Sequence, residues 1–247
     1  MSAPALVALS HGPRTSRSVA TLAAVVADVR AARPDLTVRG AHLCATRGDV
    51  SAVVDRLARA GHDEVVLVPV ALGCSDAEHR DVQDAVAESG QRHRHLRVRA
   101  AEPLGLSPSF LSVLDERLRE SLSRSRVREL DALVLAGPGS GDPLVNQSVA
   151  RLARIWGSRH RLPTTAAYAS SAPPSTGEAV RAFRAAGRRH IAVGSLFLTP
   201  GPLATRAEEL AREAGALAVS RPLGAHPEVA RAVLARYAVG AVELVPV

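Results

Sequence analysis

Cysteine and aromatic residues are scarce in this chain of 247 residues, and lysine is absent. Its two cysteines, Cys44 and Cys74, do not suggest the disulfide scaffold of a small secreted protein. Aromatic residues make up 2% of the chain and apolar residues 47%, so Ala, Val and Leu must build the core. A core of short aliphatic side chains suits parallel strands covered by Ala-rich helices, and it excludes global disorder.

Long hydrophobic runs are also missing. No stretch approaches the 18 uninterrupted apolar residues of a membrane-spanning helix. The pattern of a strand begins at Ala5, without the basic and apolar regions of a secretory signal. The sequence therefore predicts a soluble cytoplasmic protein with no membrane partner.

The net charge is +7, and arginine carries all of the positive charge. A basic surface attracts nucleic acid, anionic lipid or polycarboxylate ligands, and its sign alone does not choose among them. The chain has no zinc-finger spacing, no strand of alternating aromatic and basic residues, and no glycine fingerprint for phosphate after a strand. We therefore expect no nucleic-acid partner, and most of the arginines are interpreted as solvated surface.

The chain repeats itself. Three segments of its first half recur in its second half in the same order and with nearly the same spacing: 5–12 with 132–139, 60–72 with 186–198, and 103–108 with 222–227. The repeat predicts two tandem lobes, over 1–123 and 130–247, joined by the Arg- and Ser-rich stretch from Ser121 to Glu129.

Each copy reads as strands alternating with helices, which predicts an α/β fold of two similar lobes, each a parallel four-stranded sheet flanked by helices. In the first copy we predict strands near 5–10, 37–44, 64–72 and 96–101, and helices near 16–32, 49–60, 77–89 and 108–123. In the second copy the elements fall near 132–137, 143–157, 164–169, 174–186, 190–198, 203–214, 216–220 and 226–238.

Ligands of such sheets bind beyond the carboxyl ends of the strands, so the loop from Ser10 to Ser16 is the first place to look. His11 ends the first strand and precedes Gly12, so its imidazole could face a ligand. Arg14 and the hydroxyl groups of this loop could hold carboxylates, aided by the N-terminus of the next helix. Alternatively, His11 only forms a hydrogen bond within a turn.

Metal-ligand residue types follow the other two strands of the first copy. His42 and Cys44 share one face of the second strand, although a buried thiol beside a satisfied histidine is the more ordinary interpretation of Cys44. After the third strand, His79 lies at the first turn of a helix, among Cys74, Asp76, Glu78 and Asp81. A solvated acidic helix start would explain this segment equally well.

The segment Leu9–Arg14 resembles the opening motif of the sirohydrochlorin metal chelatases, in which the equivalent histidine is catalytic. The third strand, the helix with Asp81-Val82 and the Pro-Leu-Gly turn extend the resemblance. The second copy is similar to the C-terminal half of the long, internally duplicated members, including Leu198–Gly201 and the ending Pro-Leu-Gly-Ala-His-Pro.

The resemblance implies two lobes facing a cleft, a monomer in which the lobes replace a dimer, and no permanently bound cofactor. It implies insertion of Co²⁺ or Fe²⁺, as a substrate, into sirohydrochlorin or a related tetrapyrrole for sirohaem or cobalamin biosynthesis. His11 would contact the metal and act in catalysis, and the substrate would be held by residues of the same loop: Ser10, Gly12, Arg14 and Ser16. The alternative is a degenerate paralogue that binds a tetrapyrrole or metal without catalysis.

The sequence departs from the family pattern at three positions. The family's second histidine falls at Ala77, its acidic residue after the second strand falls at Cys44, and Pro138 stands at the His11 position of the second copy. We therefore expect the second lobe to be non-catalytic, and Cys44 to offer a soft metal ligand. We also expect His79 to replace the second histidine as a catalytic residue and metal ligand. This replacement requires the helix to start after His79, with an irregular loop before it.

Overall fold

The computed structural model describes residues 3–12, 14–43, 48–73, 75–125 and 129–244. Strands and helices alternate along these residues, as predicted for an α/β chain. The strands are β1 Ala5–His11, β2 Val38–Leu43, β3 Glu64–Pro69, β4 Arg97–Ala100, β5 Ala132–Gly137, β6 Thr164–Tyr168, β7 Ile191–Ser195 and β8 Ala218–Val219. The helices are α1 Ser16–Ala32, α2 Gly48–Arg59, α3 Asp76–Arg92, α4 Phe110–Ser125, α5 Pro143–His160, α6 Thr176–Ala185, α7 Pro202–Glu213 and α8 Pro227–Val242.

The strands form two parallel four-stranded sheets with the same topology. The order is β2-β1-β3-β4 in one sheet and β6-β5-β7-β8 in the other. This confirms the prediction of two tandem, similar, parallel lobes. In the first sheet the chain passes from β1 to β2 at one edge, and from β3 to β4 at the other edge. The second sheet repeats this arrangement with β5 to β8. The switch point therefore lies between β1 and β3, and between β5 and β7, where open α/β sheets bind their ligands.

Each face of the first sheet packs against a different layer of helices. Alternate residues of β1, namely Ala5, Val7 and Leu9, belong to one apolar cluster with buried residues of α2 and α3. On β2, a Cβ at Gly40 would lie 3.2 Å from the Val26 side chain of α1, so this position faces the opposite helix layer. Because strand side chains alternate, the face of every β1 and β2 residue is set by these contacts.

The helix that ends each half of the sequence packs on the other half's sheet. One compact unit runs to Gly105 and resumes at Ala225, and the second unit comprises Leu106–Gly224. Thus α8 packs against α1 and β3, whereas α4 packs against β7 and β8. The predicted boundary at 123–130 differs from this division. Repeat matching locates equivalent helices in the sequence, but it does not show which of two similar apolar sheet faces each helix covers.

An arginine on each of these two helices binds a Pro-Leu-Gly turn in its own unit. Arg236 of α8 donates to the Leu104 carbonyl oxygen at 3.2 Å. Arg117 of α4 donates to the Leu223 carbonyl oxygen through Nε at 3.1 Å and Nη2 at 3.0 Å. The glycines that follow, Gly105 and Gly224, have φ values of 75° and 65°, which other residues rarely adopt. Glycine recurs in both turns because the backbone there adopts a positive φ.

Within the described part of the chain, none of the helices combines the length and the apolar character needed to cross a bilayer.

Candidate active site

His11 is the last residue of β1, at the switch point of the first sheet. It continues the alternation of Val7 and Leu9, which face α2 and α3, so its imidazole is directed towards that layer. Gly12 follows with φ of 103° and turns the chain away at once. The His11 side chain remains 29% exposed, and its imidazole is therefore accessible to a ligand.

Two carboxylates of α3 flank the imidazole of His11. Nδ1 lies 3.1 Å from Oε1 of Glu78, and Nε2 lies 3.2 Å from Oδ2 of Asp81. Residues 78 and 81 are three apart in the helix and therefore lie on the same face. Because α3 follows β3, and β3 is the neighbour of β1, the fold brings this helix start to the end of β1.

Glu78 is held in place by the N-terminus of its own helix. Its Oε2 accepts hydrogen bonds from the Ser75 backbone N–H at 2.8 Å and the Ser75 hydroxyl at 3.0 Å. The Ser75 hydroxyl in turn accepts from the Glu78 N–H at 3.3 Å, which completes a capping box. One carboxylate therefore stabilises the helix start and contacts His11.

The capping box also fixes where α3 begins, which corrects one sequence expectation. The helix starts at Asp76, so the irregular loop expected from Ser75 to His79 is not formed. One residue turns a helical side chain by about 100°, so His79 diverges from the face of Glu78. His79 is exposed and lines a separate groove of about 400 Å³ with Glu102 and Arg236. A metal shared by His11 and His79 stays a prediction, and this helix start does not favour it.

The predicted substrate-binding residues take up different environments. Ser10 is buried in β1, and Gly12 forms the turn described above. The Arg14 side chain is 57% exposed and its Nη1 lies 3.8 Å from Oδ2 of Asp49. Ser16 is the exposed first residue of α1, whose first turn contains no acidic residue. Arg14 and Ser16 are thus accessible to a carboxylate, whereas the Ser10 side chain is not.

Of the two candidates on the second strand, His42 is not brought to His11. His42 alternates with Gly40 and therefore faces α1, on the other side of the sheet from His11. It is buried, and its backbone N–H donates to Oδ2 of Asp49 at 2.9 Å. Burial lowers the pKa of the His42 imidazole, with Asp49 opposing this and Arg14 adding to it. Cys44 lies outside the described residues, as does Cys74.

The corresponding turn of the second unit is built differently. Pro138 stands at the His11 position, and a Cβ at the next residue, Gly139, would lie 1.9 Å from the Ser170 carbonyl oxygen. Backbone therefore fills the space beside this turn. A nearby groove of about 390 Å³ is lined by neutral side chains such as Asn146, Gln147 and Tyr168. Neither carboxylate nor imidazole groups are among its lining residues.

Sequence reasoning located His11 and named Glu78 and Asp81 around His79, but it did not predict that these two carboxylates contact His11. A usable signal was present, because Ser75 and Glu78 are spaced as a capping box and Asp81 follows on the same face. Within the described ranges, no three His, Cys, Asp or Glu side chains are grouped so as to hold a metal ion. The structure therefore offers a histidine with two carboxylates rather than a closed metal cage.

The CbiX family model matches the chain over residues 5–121 and again over 132–239. The chain belongs to this family. The two matches correspond to the two halves of the sequence repeat, so the resemblance to sirohydrochlorin chelatases covers most of the chain.

Individual relatives agree with the family. A sirohydrochlorin cobaltochelatase of Priestia megaterium is 24% identical over 169 residues, which are 68% of this chain and 55% of that relative. The chain thus matches little more than half of the relative's length. The structure of SirB from Bacillus subtilis with Fe³⁺ is 19% identical and superposes with a TM-score of 0.79, covering 98% of this chain and 96% of that chain. A cobalt complex of SirB from Bacillus subtilis subspecies spizizenii superposes with a TM-score of 0.77 at 18% identity, covering 98% of this chain and 97% of that chain.

Proposed function

We propose that this chain inserts a divalent metal, cobalt or ferrous iron, into sirohydrochlorin or a related tetrapyrrole for sirohaem or cobalamin biosynthesis. The observation that carries the proposal is His11, which lies at the sheet's switch point between Glu78 and Asp81. Family membership and the cobaltochelatase relative support the same substrate class. The metal is a substrate, and the proposal includes no resident cofactor.

Insertion has two chemical requirements that a histidine can meet. The ion must exchange water for ring nitrogens, and two pyrrole N–H protons must leave. A neutral imidazole can hold an ion such as zinc at about 2.0–2.1 Å and can also accept a proton. A carboxylate beside the imidazole stabilises the imidazolium that results. His11 is therefore the proposed metal contact, and its lone pair accepts one of the two protons once the ion has passed to the ring nitrogens. The second proton leaves to water.

The tetrapyrrole carries several carboxylates, and the start of α1 has the chemistry to receive them. Arg14 is exposed, Ser16 offers a hydroxyl group, and the first turn of α1 has no acidic residue that would compete. Backbone N–H groups at a helix N-terminus attract anions. We assign this segment to substrate binding and the C-terminal lobe, residues 130–247, to a non-catalytic role, in a chain acting as a monomer.

The alternative function is binding of a tetrapyrrole or metal without turnover. Ala77, at the position of the family's second histidine, favours this alternative. Both candidates predict binding of sirohydrochlorin, so only the rate of metal insertion separates them. A wild-type rate equal to the spontaneous rate, measured with the substrate bound, would favour the non-catalytic function.

The test is a time course of Co²⁺- and Fe²⁺-dependent change in the sirohydrochlorin spectrum, with wild type, His11→Ala and His79→Ala. We expect His11→Ala to lower the rate above background at least tenfold, and His79→Ala to lower it less. A His11→Ala rate within about twofold of wild type corresponds to less than roughly 0.5 kcal/mol of barrier and would exclude the proposed role. Binding of sirohydrochlorin by His11→Ala serves as the control for folding.

A further inference from the structure

The two nitrogens of His11 face two carboxylates, and this poses a problem of hydrogen bonding. A neutral imidazole has one N–H donor and one lone pair. It can therefore donate to only one of Glu78 and Asp81. The contact of Nε2 with Asp81 has hydrogen-bond geometry, so the Nε2–H tautomer donates to Asp81, whereas in the Nδ1–H tautomer the Nε2 lone pair faces Oδ2 of Asp81. A cation placed between the lone pair and that carboxylate would satisfy both.

The spacing of His11 and Asp81 fits one metal ion. Two ligand atoms at about 2.1 Å from an ion are roughly 3.0 Å apart at a 90° angle and roughly 3.4 Å apart at the tetrahedral angle. The observed separation of Nε2 from Oδ2 of Asp81 is 3.2 Å, between these two values. The two nitrogens of an imidazole point in divergent directions, so Glu78 at Nδ1 cannot bind the same ion.

The surroundings of the two carboxylates distinguish their roles. Glu78 already accepts two hydrogen bonds from Ser75, so its position is set by the helix cap. A ligating histidine commonly donates its other ring N–H to such a carboxylate, which orients the ring. The Asp81 side chain is 43% exposed, which leaves coordination positions of a bound ion open to water or an incoming ring nitrogen.

We infer that His11 Nε2 and Asp81 form a two-point site for the substrate metal, and that Glu78 is a positioning residue that keeps Nδ1 protonated and the ring oriented. The inference rests on the proposed function. It adds Asp81 as the second protein ligand, in place of a second histidine. A site with two protein ligands suits an ion that must leave, because most of its coordination shell stays exchangeable.

The test is Co²⁺ binding to the full chain without tetrapyrrole, followed by the visible absorption of the protein-bound ion and by calorimetry. We expect one Co²⁺ per chain, at least a tenfold weaker affinity in His11→Ala and in Asp81→Asn, and a changed Co²⁺ spectrum in both. Asp84→Asn, which removes the same charge one helical turn further along α3, should stay within about twofold of wild type. Circular dichroism confirms that each variant folds.

Glu78 is tested by a pair of variants. Glu78→Gln keeps an acceptor for Nδ1–H and for the helix cap, whereas Glu78→Ala removes both. We expect the ¹⁵N signals of the His11 ring to show the Nδ1–H tautomer in wild type and Glu78→Gln, and a mixture of tautomers in Glu78→Ala. Co²⁺ affinity should fall about tenfold in Glu78→Ala and recover in Glu78→Gln.

The outcomes separate this inference from the proposed function. Co²⁺ affinity and spectrum that are unchanged in Asp81→Asn, or a wild-type chain that binds no Co²⁺, would overturn the inference whatever the insertion rate. Binding that depends on His11 and Asp81 in a chain that inserts no metal would support the inference and overturn the proposed function.

Discussion

At the scale of single residues, Gly194 shows how tightly the core of the second unit is packed. It lies in β7, and a Cβ built there would be 2.6 Å from the ring of Trp156. The indole is fully buried, and its Nε1–H donates to Oδ1 of Asp115 at 2.7 Å. His160 Nε2 lies 2.8 Å from the same oxygen. The ring therefore cannot move aside without losing a buried hydrogen bond.

We expect Gly194→Ala to destabilise the protein by about 1–3 kcal/mol, because overpacking forces the Trp156 ring to shift. The matched control is Gly90→Ala, in the exposed part of α3, where an added Cβ meets no atom within 4 Å. That variant should stabilise the protein by about 0.5–1 kcal/mol through helix propensity. Urea unfolding measures both values, and equal signs for the two variants would contradict this account of the core.

At the scale of elements, Asp55 joins α2 to the end of α3. Its Oδ1 lies 2.7 Å from Nε2 of His93, and its Oδ2 accepts from Arg92 at 3.2 Å. The hydrogen bond with His93, followed by the charge of Arg92, holds the pKa of Asp55 below its usual value of 3.8. The folded state therefore binds this proton less readily than the unfolded state does.

A lowered pKa gives a stabilisation that is present above the unfolded value, about pH 4, and is lost as the pH falls through the lower folded value. We expect Asp55→Asn to be less stable than wild type at pH 6, and the difference to shrink below pH 4. Urea unfolding at several pH values measures this difference. Asp28→Asn on α1, where Asp28 forms no ion pair with the described residues, is the control. A difference that stays constant from pH 6 to pH 3 would exclude the ion pair as its cause.

At the scale of the whole molecule, the two sequence halves depend on each other because α4 and α8 are exchanged between the units. Val233 of α8 is fully buried in the first unit, and Leu114 of α4 is fully buried in the second. Each half of the sequence thus lacks a helix that covers one face of its own sheet. The second unit is one continuous segment, Leu106–Gly224, whereas the first unit is made of two segments, one on each side of it.

Amide hydrogen exchange should show directly which sheet α4 and α8 each stabilise. We expect Val233→Ala to lower amide protection in β1–β4, although Val233 lies in the second half of the sequence, and Leu114→Ala to lower it in β5–β8. The cost should be about 2–5 kcal/mol for Leu114→Ala, and less for the smaller change at Val233. Val239→Ala, on the same helix but 57% exposed, should change the stability by less than about 0.5 kcal/mol. Protection lost only within each variant's own half of the sequence would contradict the division into units.

The amino-acid sequence by itself determined the elements, the repeat and the position of His11. Strand periodicity, Ala-rich amphipathic helices and turn glycines such as Gly105 are local signals, and a parallel sheet follows from their alternation. His11 could be located because an α/β sheet binds its ligands at the carboxyl ends of its strands. The end of a strand can be recognised from the order of residues along the chain.

Only the tertiary structure decided which sheets α4 and α8 cover, and which side chains meet His11. Two similar apolar faces compete for each helix, and packing rather than sequence order resolves the competition. The roles of Glu78 and Asp81 depend on the angular position of each residue around α3, which the Ser75 capping box sets. A shift of one residue turns a helical side chain by about 100°, so the same segment could have presented His79 instead.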